Sequence, residues 1–116
     1  MNKTIIVKDI IHSEYAVTGE MGLALFNEFE KCDLSDNNII VIDFNGIERA
    51  TTLFFNESIS QYVKNYSYEK FKTHFRLENM TKTLKILFKN SLELTITKMS
   101  DPNILQHTLR EELKDE

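Results

Sequence analysis

One cysteine, one proline and three glycines are all that this 116-residue sequence holds of the residues that staple, break or bend a chain. A single cysteine cannot close an internal disulfide, so a small disulfide-framed scaffold is excluded. Cys32 falls at the end of a helical apolar pattern, where a small buried side chain suits better than a reactive thiol. With so little Gly and Pro there is no linker between modules, and neither a repeat nor a low-complexity tract interrupts the chain. The length then fits one domain closing one core.

Other absences narrow the function. Gly19, Gly22 and Gly46 are too scattered to cradle a phosphate, and the glycine-rich signatures of nucleotide-binding loops and serine hydrolases are missing, so a nucleotide-dependent enzyme is unsupported. His12, His74 and His107 lie in different elements with no partner four residues away, and no paired-cysteine motif accompanies them. No metal site and no cofactor are expected. Met1 to Asp9 carries no sustained apolar stretch, and no later run is long enough to cross a bilayer, so the expected location is the cytoplasm. A basic excess is also lacking, because the formal net charge of -4 repels phosphate backbones. Lys82, Lys85 and Lys89, with Lys70, Lys72 and Arg76 before them, form the best local basic patch. At that spacing such a stripe is the solvated back of an amphipathic helix, and nucleic-acid binding is disfavoured.

What is present is an alternation of short apolar elements. Thr4 to Val7 is β-branched, and Ile10-Ile11 follows, so the start reads as an outer strand that turns back through Tyr15 to Val17. Thr18 caps a helix in which Met21, Leu25, Phe29 and Cys32 form one buried stripe. Asn38 to Phe44 is an almost uninterrupted apolar run and predicts the central strand, covered on both faces. A turn at Asn45-Gly46 leads to Thr51-Thr52, which open a helix whose Phe55, Ile59, Tyr62, Val63 and Tyr66 share a face.

Phe71, Thr73, Phe75 and Leu77 alternate with Lys72, His74 and Arg76, the pattern of a half-solvated strand that turns His74 to solvent. A third helix from about Thr81 to Phe88 precedes a last strand in which Leu92, Leu94 and Ile96 alternate with polar residues. Asp101-Pro102 then starts a C-terminal amphipathic helix over 101–116, with an apolar stripe at Leu105, Leu109 and Leu113 that serves docking or oligomerisation. The order predicts a single α/β sandwich over 1–116, a mixed sheet of about four to five strands with helices packed against it.

The connection from Asp43 to Glu57 is the most informative segment, since α/β proteins place their sites in loops at the carboxyl ends of strands. Asp43 lacks a second carboxylate or nucleophile at a meaningful spacing and is expected to cap the following turn. One of Thr51 and Thr52 is expected to cap the helix, and a phosphate added there would reverse the local charge.

Val41-Ile42-Asp43-Phe44-Asn45-Gly46-Ile47, followed by Ala50-Thr51-Thr52 and a helix, resembles the centre of STAS domains, specifically the STAS-like family of unknown function. Gly19 to Phe26 is similar to that family's glycine-containing first helix, and the elements from Phe75 onward follow the order of anti-sigma factor antagonists. The resemblance implies a single STAS-like domain acting as a non-catalytic regulatory module, whose partner is an ATP-binding, kinase-like anti-sigma factor. It implies a phospho-acceptor at the second helix start, where Thr51 and Thr52 stand, with Asn45, Gly46, Glu48, Arg49 and Asn56 as the partner-binding residues around it. The antagonists' Asp-Ser-Ser-Gly signature is absent, with Leu53 and Phe54 where it would continue. The alternatives are a subunit of a homo- or hetero-oligomeric complex assembled through Leu105, Leu109 and Leu113, and a small-ligand or nucleotide sensor of the kind some STAS domains suggest.

Overall fold

The structure is a computed structural model that describes residues 2–34 and 38–99. Three parallel strands, β1 (Asn2–Ile6), β3 (Ile39–Asp43) and β5 (Phe75–Glu78), pair in the order β1-β3-β5. A separate parallel pair joins β2 (Tyr15–Ala16) to β4 (Arg49–Ala50). The helices are α1 (Val7–Ile11), α2 (Gly19–Glu30), α3 (Thr52–Glu57), α4 (Ile59–Asn65), α5 (Tyr68–His74) and α6 (Lys82–Met99). The class is α/β as expected, but every strand pair among the described residues is parallel, which replaces the mixed sheet of four to five strands.

The central place of Ile39–Asp43 follows from its sequence, since both neighbours hydrogen-bond to it. Ile5, Ile40, Ile42 and Phe75 are buried on one face. The register row Thr4, Val41 and Arg76 on the other face is exposed, half-buried and exposed, so the strand is not fully covered on both sides by the described residues.

Three expected strand segments are helical, and in each the cause is a residue pair four apart. Val7 and Ile11 are both buried, so the stretch containing Ile10-Ile11 forms the short helix α1. Tyr15–Ala16 is a strand but pairs parallel to β4 instead of folding back on the first strand. Phe71 and Phe75 stack with ring centroids 5.0 Å apart. That spacing satisfies a helical turn as well as an alternating strand, and the Ser67 hydroxyl, which accepts from the Lys70 N–H, starts the helix. His74 therefore ends α5, half-buried, instead of facing solvent from a strand, and its buried Nδ1 has no hydrogen bond among the described residues.

Leu84, Phe88, Leu92 and Ile96 form one buried line in α6, which runs through the expected last strand because no glycine or proline stops it. Leu94, inward in a strand, is exposed in the helix. The second predicted helix is divided at Ser58, whose hydroxyl donates to the Phe54 carbonyl, and Tyr66 at its end is exposed instead of sharing the buried face. The segment 101–116, with His107, Leu105, Leu109 and Leu113, lies outside the described residues.

Aromatic rings knit the core. Phe29, Tyr62 and Phe75 meet edge to face at 5.1 to 6.0 Å between centroids, a geometry that adds about 0.5–1.5 kcal/mol per pair beyond burial. Burial, then Tyr66, Glu30 and Cys32, push the Tyr62 phenol from 10 up to about 12. The fold holds the neutral phenol, so the unfolded chain releases this proton first. Stability is complete below pH 10 and falls as pH rises towards about 12. Urea midpoints followed across that interval should fall more steeply for the native chain than for Tyr62→Phe. Cys32 is half-buried, its thiol donates to the Glu28 carbonyl at 3.3 Å and burial raises its pKa, the properties of a packing residue.

Candidate functional site

The carboxyl ends of β3 and β5 are tied together by one side chain. Asp43 Oδ1 accepts from the Asn45 backbone N–H and from Asn79 Nδ2, each at 2.8 Å. Asp43 thus caps its own turn, as its place in the sequence predicts, and also anchors the turn after β5. Gly46 sits in that turn with φ +87°, and a Cβ there would meet Lys8 Cδ at 3.1 Å. Both the torsion and the neighbour favour glycine.

Past the turn, the chain is clipped to the segment before α2. Glu48 N–H donates to the Glu14 carbonyl at 2.8 Å, and Thr51 N–H donates to the Ala16 carbonyl at 3.1 Å. The Thr51 hydroxyl donates to the Val17 carbonyl at 2.9 Å while accepting from the Phe54 N–H at 3.2 Å. Its single proton and its capping lone pair are both engaged. Thr52, the first residue of α3, is half-buried, and its hydroxyl makes no hydrogen bond among the described residues. The two threonines are therefore not equivalent. Thr51→Ala is expected to lower stability by about 1 kcal/mol, the worth of a helix cap, with Thr51→Ser close to native. Thr52→Ala should stay within about 0.5 kcal/mol, as urea denaturation would show.

Asn45, Gly46, Glu48 and Arg49 are exposed along this loop, and neither Glu48 nor Arg49 has an ion-pair partner among the described residues. Asn56 stands apart from them. It faces α6, where its Oδ1 accepts from Ser91.

Four large exposed apolar side chains belong to the clipped segments and the helix starts: Tyr15 at 47%, Val17 at 37%, Leu23 at 46% and Leu53 at 51%. Leu53 reaches over the start of α2, its Cγ 3.7 Å from where a Gly19 side chain would begin. These four were not singled out from the sequence, although signals exist. Leu53 is out of phase with Phe55, Ile59 and Tyr62, and Tyr15 and Val17 flank the buried Ala16. Among the described residues no group of three or more His, Cys, Asp or Glu side chains could hold a metal ion, and no helix is long and apolar enough to cross a membrane.

Ile6, Tyr66, Ile86 and Leu94 are exposed elsewhere on this parallel α/β domain, so half of the large exposed apolar side chains among the described residues lie on β2, the segment after it, α2 and α3. Residues 22–85 match the profile of the STAS-like domain of unknown function, and the chain belongs to that family. No curated protein and no solved structure matches it.

Proposed function

We propose that this chain is a non-catalytic regulatory module that binds a protein partner through the surface formed by β2, β4 and the starts of α2 and α3. The observation that carries this reading is the exposure of Tyr15, Val17, Leu23 and Leu53 on segments hydrogen-bonded to, or helices that follow or pack beside, a loop whose Glu48 and Arg49 have no ion-pair partner among the described residues. Exposed apolar side chains rimmed by charge are the ordinary composition of a protein-binding patch. The surface is also held in one conformation by the Glu14, Ala16 and Val17 carbonyls, so little ordering cost falls on binding.

The resemblance of the β3 to α3 connection to that of anti-sigma factor antagonists supports an ATP-binding, kinase-like partner. Phosphoryl transfer to a threonine at the start of α3 would then switch the surface off. Thr52 is the acceptor this reading selects, because the Thr51 hydroxyl is committed in both directions. A phosphate on Thr52 would place nearly two negative charges beside the exposed Leu53, where an apolar contact must desolvate.

Affinity purification of the chain beside Leu53→Asp, Arg49→Glu and Thr52→Asp variants tests the reading, with circular dichroism confirming the fold of each. One partner should be retained by the native chain and depleted at least about tenfold by Leu53→Asp, the loss of one well-buried contact. A partner set indifferent to all three substitutions sinks the proposal. Retention of the partner by Thr52→Asp, with no phosphate on Thr52 by mass spectrometry, removes the switch and leaves a plain binding module.

A further inference from the structure

Three polar side chains from three helices meet where the packing is otherwise apolar. Ser60 of α4 and Ser91 of α6 are both buried, with hydroxyl oxygens 2.7 Å apart. Ser91 donates to Asn56 Oδ1 of α3 at 2.5 Å. An amide oxygen only accepts, so the single proton of Ser91 is committed to Asn56 and Ser60 is the donor to Ser91. The relay runs from Ser60 through Ser91 to Asn56 and fixes the amide with its oxygen towards α6. The amide nitrogen, with two N–H donors, makes no hydrogen bond among the described residues.

Asn56 borders a groove of about 340 Å³ between α3, α4 and α6. Lys64 of α4 and Lys98 of α6 line the same groove from different helices, and neither has an ion-pair partner among the described residues. Glu57 also borders it, but its stem packs against the start of α2, with Cγ 3.5 Å from where a Gly19 side chain would begin. Two cations lining one groove repel each other, and an anion held by both converts that repulsion into two attractions. A buried relay that orients one amide gives the anion a donor already in place.

The geometry points to a binding site in this groove for a small anion bearing a phosphate or carboxylate group, held by Lys64 and Lys98 and oriented by the Asn56 amide. The site lies on the α6 side of α3, apart from the Thr52 surface, and does not depend on the partner reading.

The experiment titrates inorganic phosphate and, separately, succinate into the ¹⁵N-labelled chain of residues 1–116 at constant ionic strength, with chloride as the reference anion. Saturable shifts in the amides of residues 56–64 and 94–98 are expected. The Lys64→Gln/Lys98→Gln double variant keeps both stems and should weaken binding at least about tenfold, since each charge-assisted contact is among the stronger kinds. A response to phosphate alone identifies a phosphorylated ligand, and to succinate alone a carboxylate. No saturable shift with either anion, or equal affinity in the double variant, overturns the site.

Discussion

Phe55→Ala is expected to remove about 4 kcal/mol of folding free energy, within the range for emptying an aromatic site in a core. Phe55 is fully buried and meets three rings, with centroids 5.9 Å from Phe44 just after β3, 5.4 Å from Phe54 in its own helix α3 and 5.9 Å from Phe88 in α6. No single neighbour can swing into the space without leaving its own partners. A domain of this size has about 5–15 kcal/mol in total, so the variant should be near the edge of folding at room temperature. Its N–H also donates to the Thr51 carbonyl, so loss of packing here would loosen the helix start that carries Thr52. Urea denaturation measures the effect; a loss under about 1.5 kcal/mol would mean that the core re-closes and that the three-way contact is not rigid.

Gly22→Ala should be the most costly single methyl in the chain, at about 2 kcal/mol net. A Cβ at Gly22 would stand 2.4 Å from the Phe54 carbonyl oxygen and 2.9 Å from Glu57 Cβ. The first obstacle is backbone and cannot rotate away, so α2 and α3 must separate, at the upper end of the roughly 1–3 kcal/mol that overpacking costs. Alanine's better helix propensity returns about 1 kcal/mol. Gly19→Ala in the same helix is the control, because its Cβ would find only ordinary contacts of 3.5 Å and beyond. It should be neutral or slightly stabilising. If both variants have equal urea midpoints, the close approach of the two helices does not constrain the fold.

How far the sequence reveals this molecule depends on whether two periodicities compete. Thr18 and the Met21, Leu25, Phe29 and Cys32 stripe specify α2 because its last step, of three, fits a helix and not an alternating strand. Ile39 to Asp43 specify a strand because five successive β-branched or short residues leave no polar helical face. Phe71 and Phe75, or Leu92 and Ile96, are spaced by four, which is both one helical turn and two strand repeats, and the residues between them do not decide. Tertiary contact decides there, through the Phe71 and Phe75 stack and through packing of α6 on α3 and α4. At the candidate site, the turn and the capping threonine were legible from residue type and order. The choice of Thr51 as cap rested on the Val17 carbonyl 34 residues away, which no local pattern encodes. The separation of Asn56 from the loop has the same origin, since its partner Ser91 belongs to a segment that reads as the approach to a strand.

The parallel pairing also sets how this chain must assemble in time. Asn2 pairs with Ile39, Tyr15 with Arg49 and Ile40 with Phe75, so each strand contact joins residues about 35 apart and hairpin nucleation has no place among them. Each pairing closes a long loop before its hydrogen bonds compensate for the entropy lost. Refolding should therefore be slower than for a helical bundle of equal length, in milliseconds or longer instead of microseconds. Until β3 is flanked, its apolar Ile39 to Ile42 edge stays open to other chains, so refolding yield should fall as protein concentration rises.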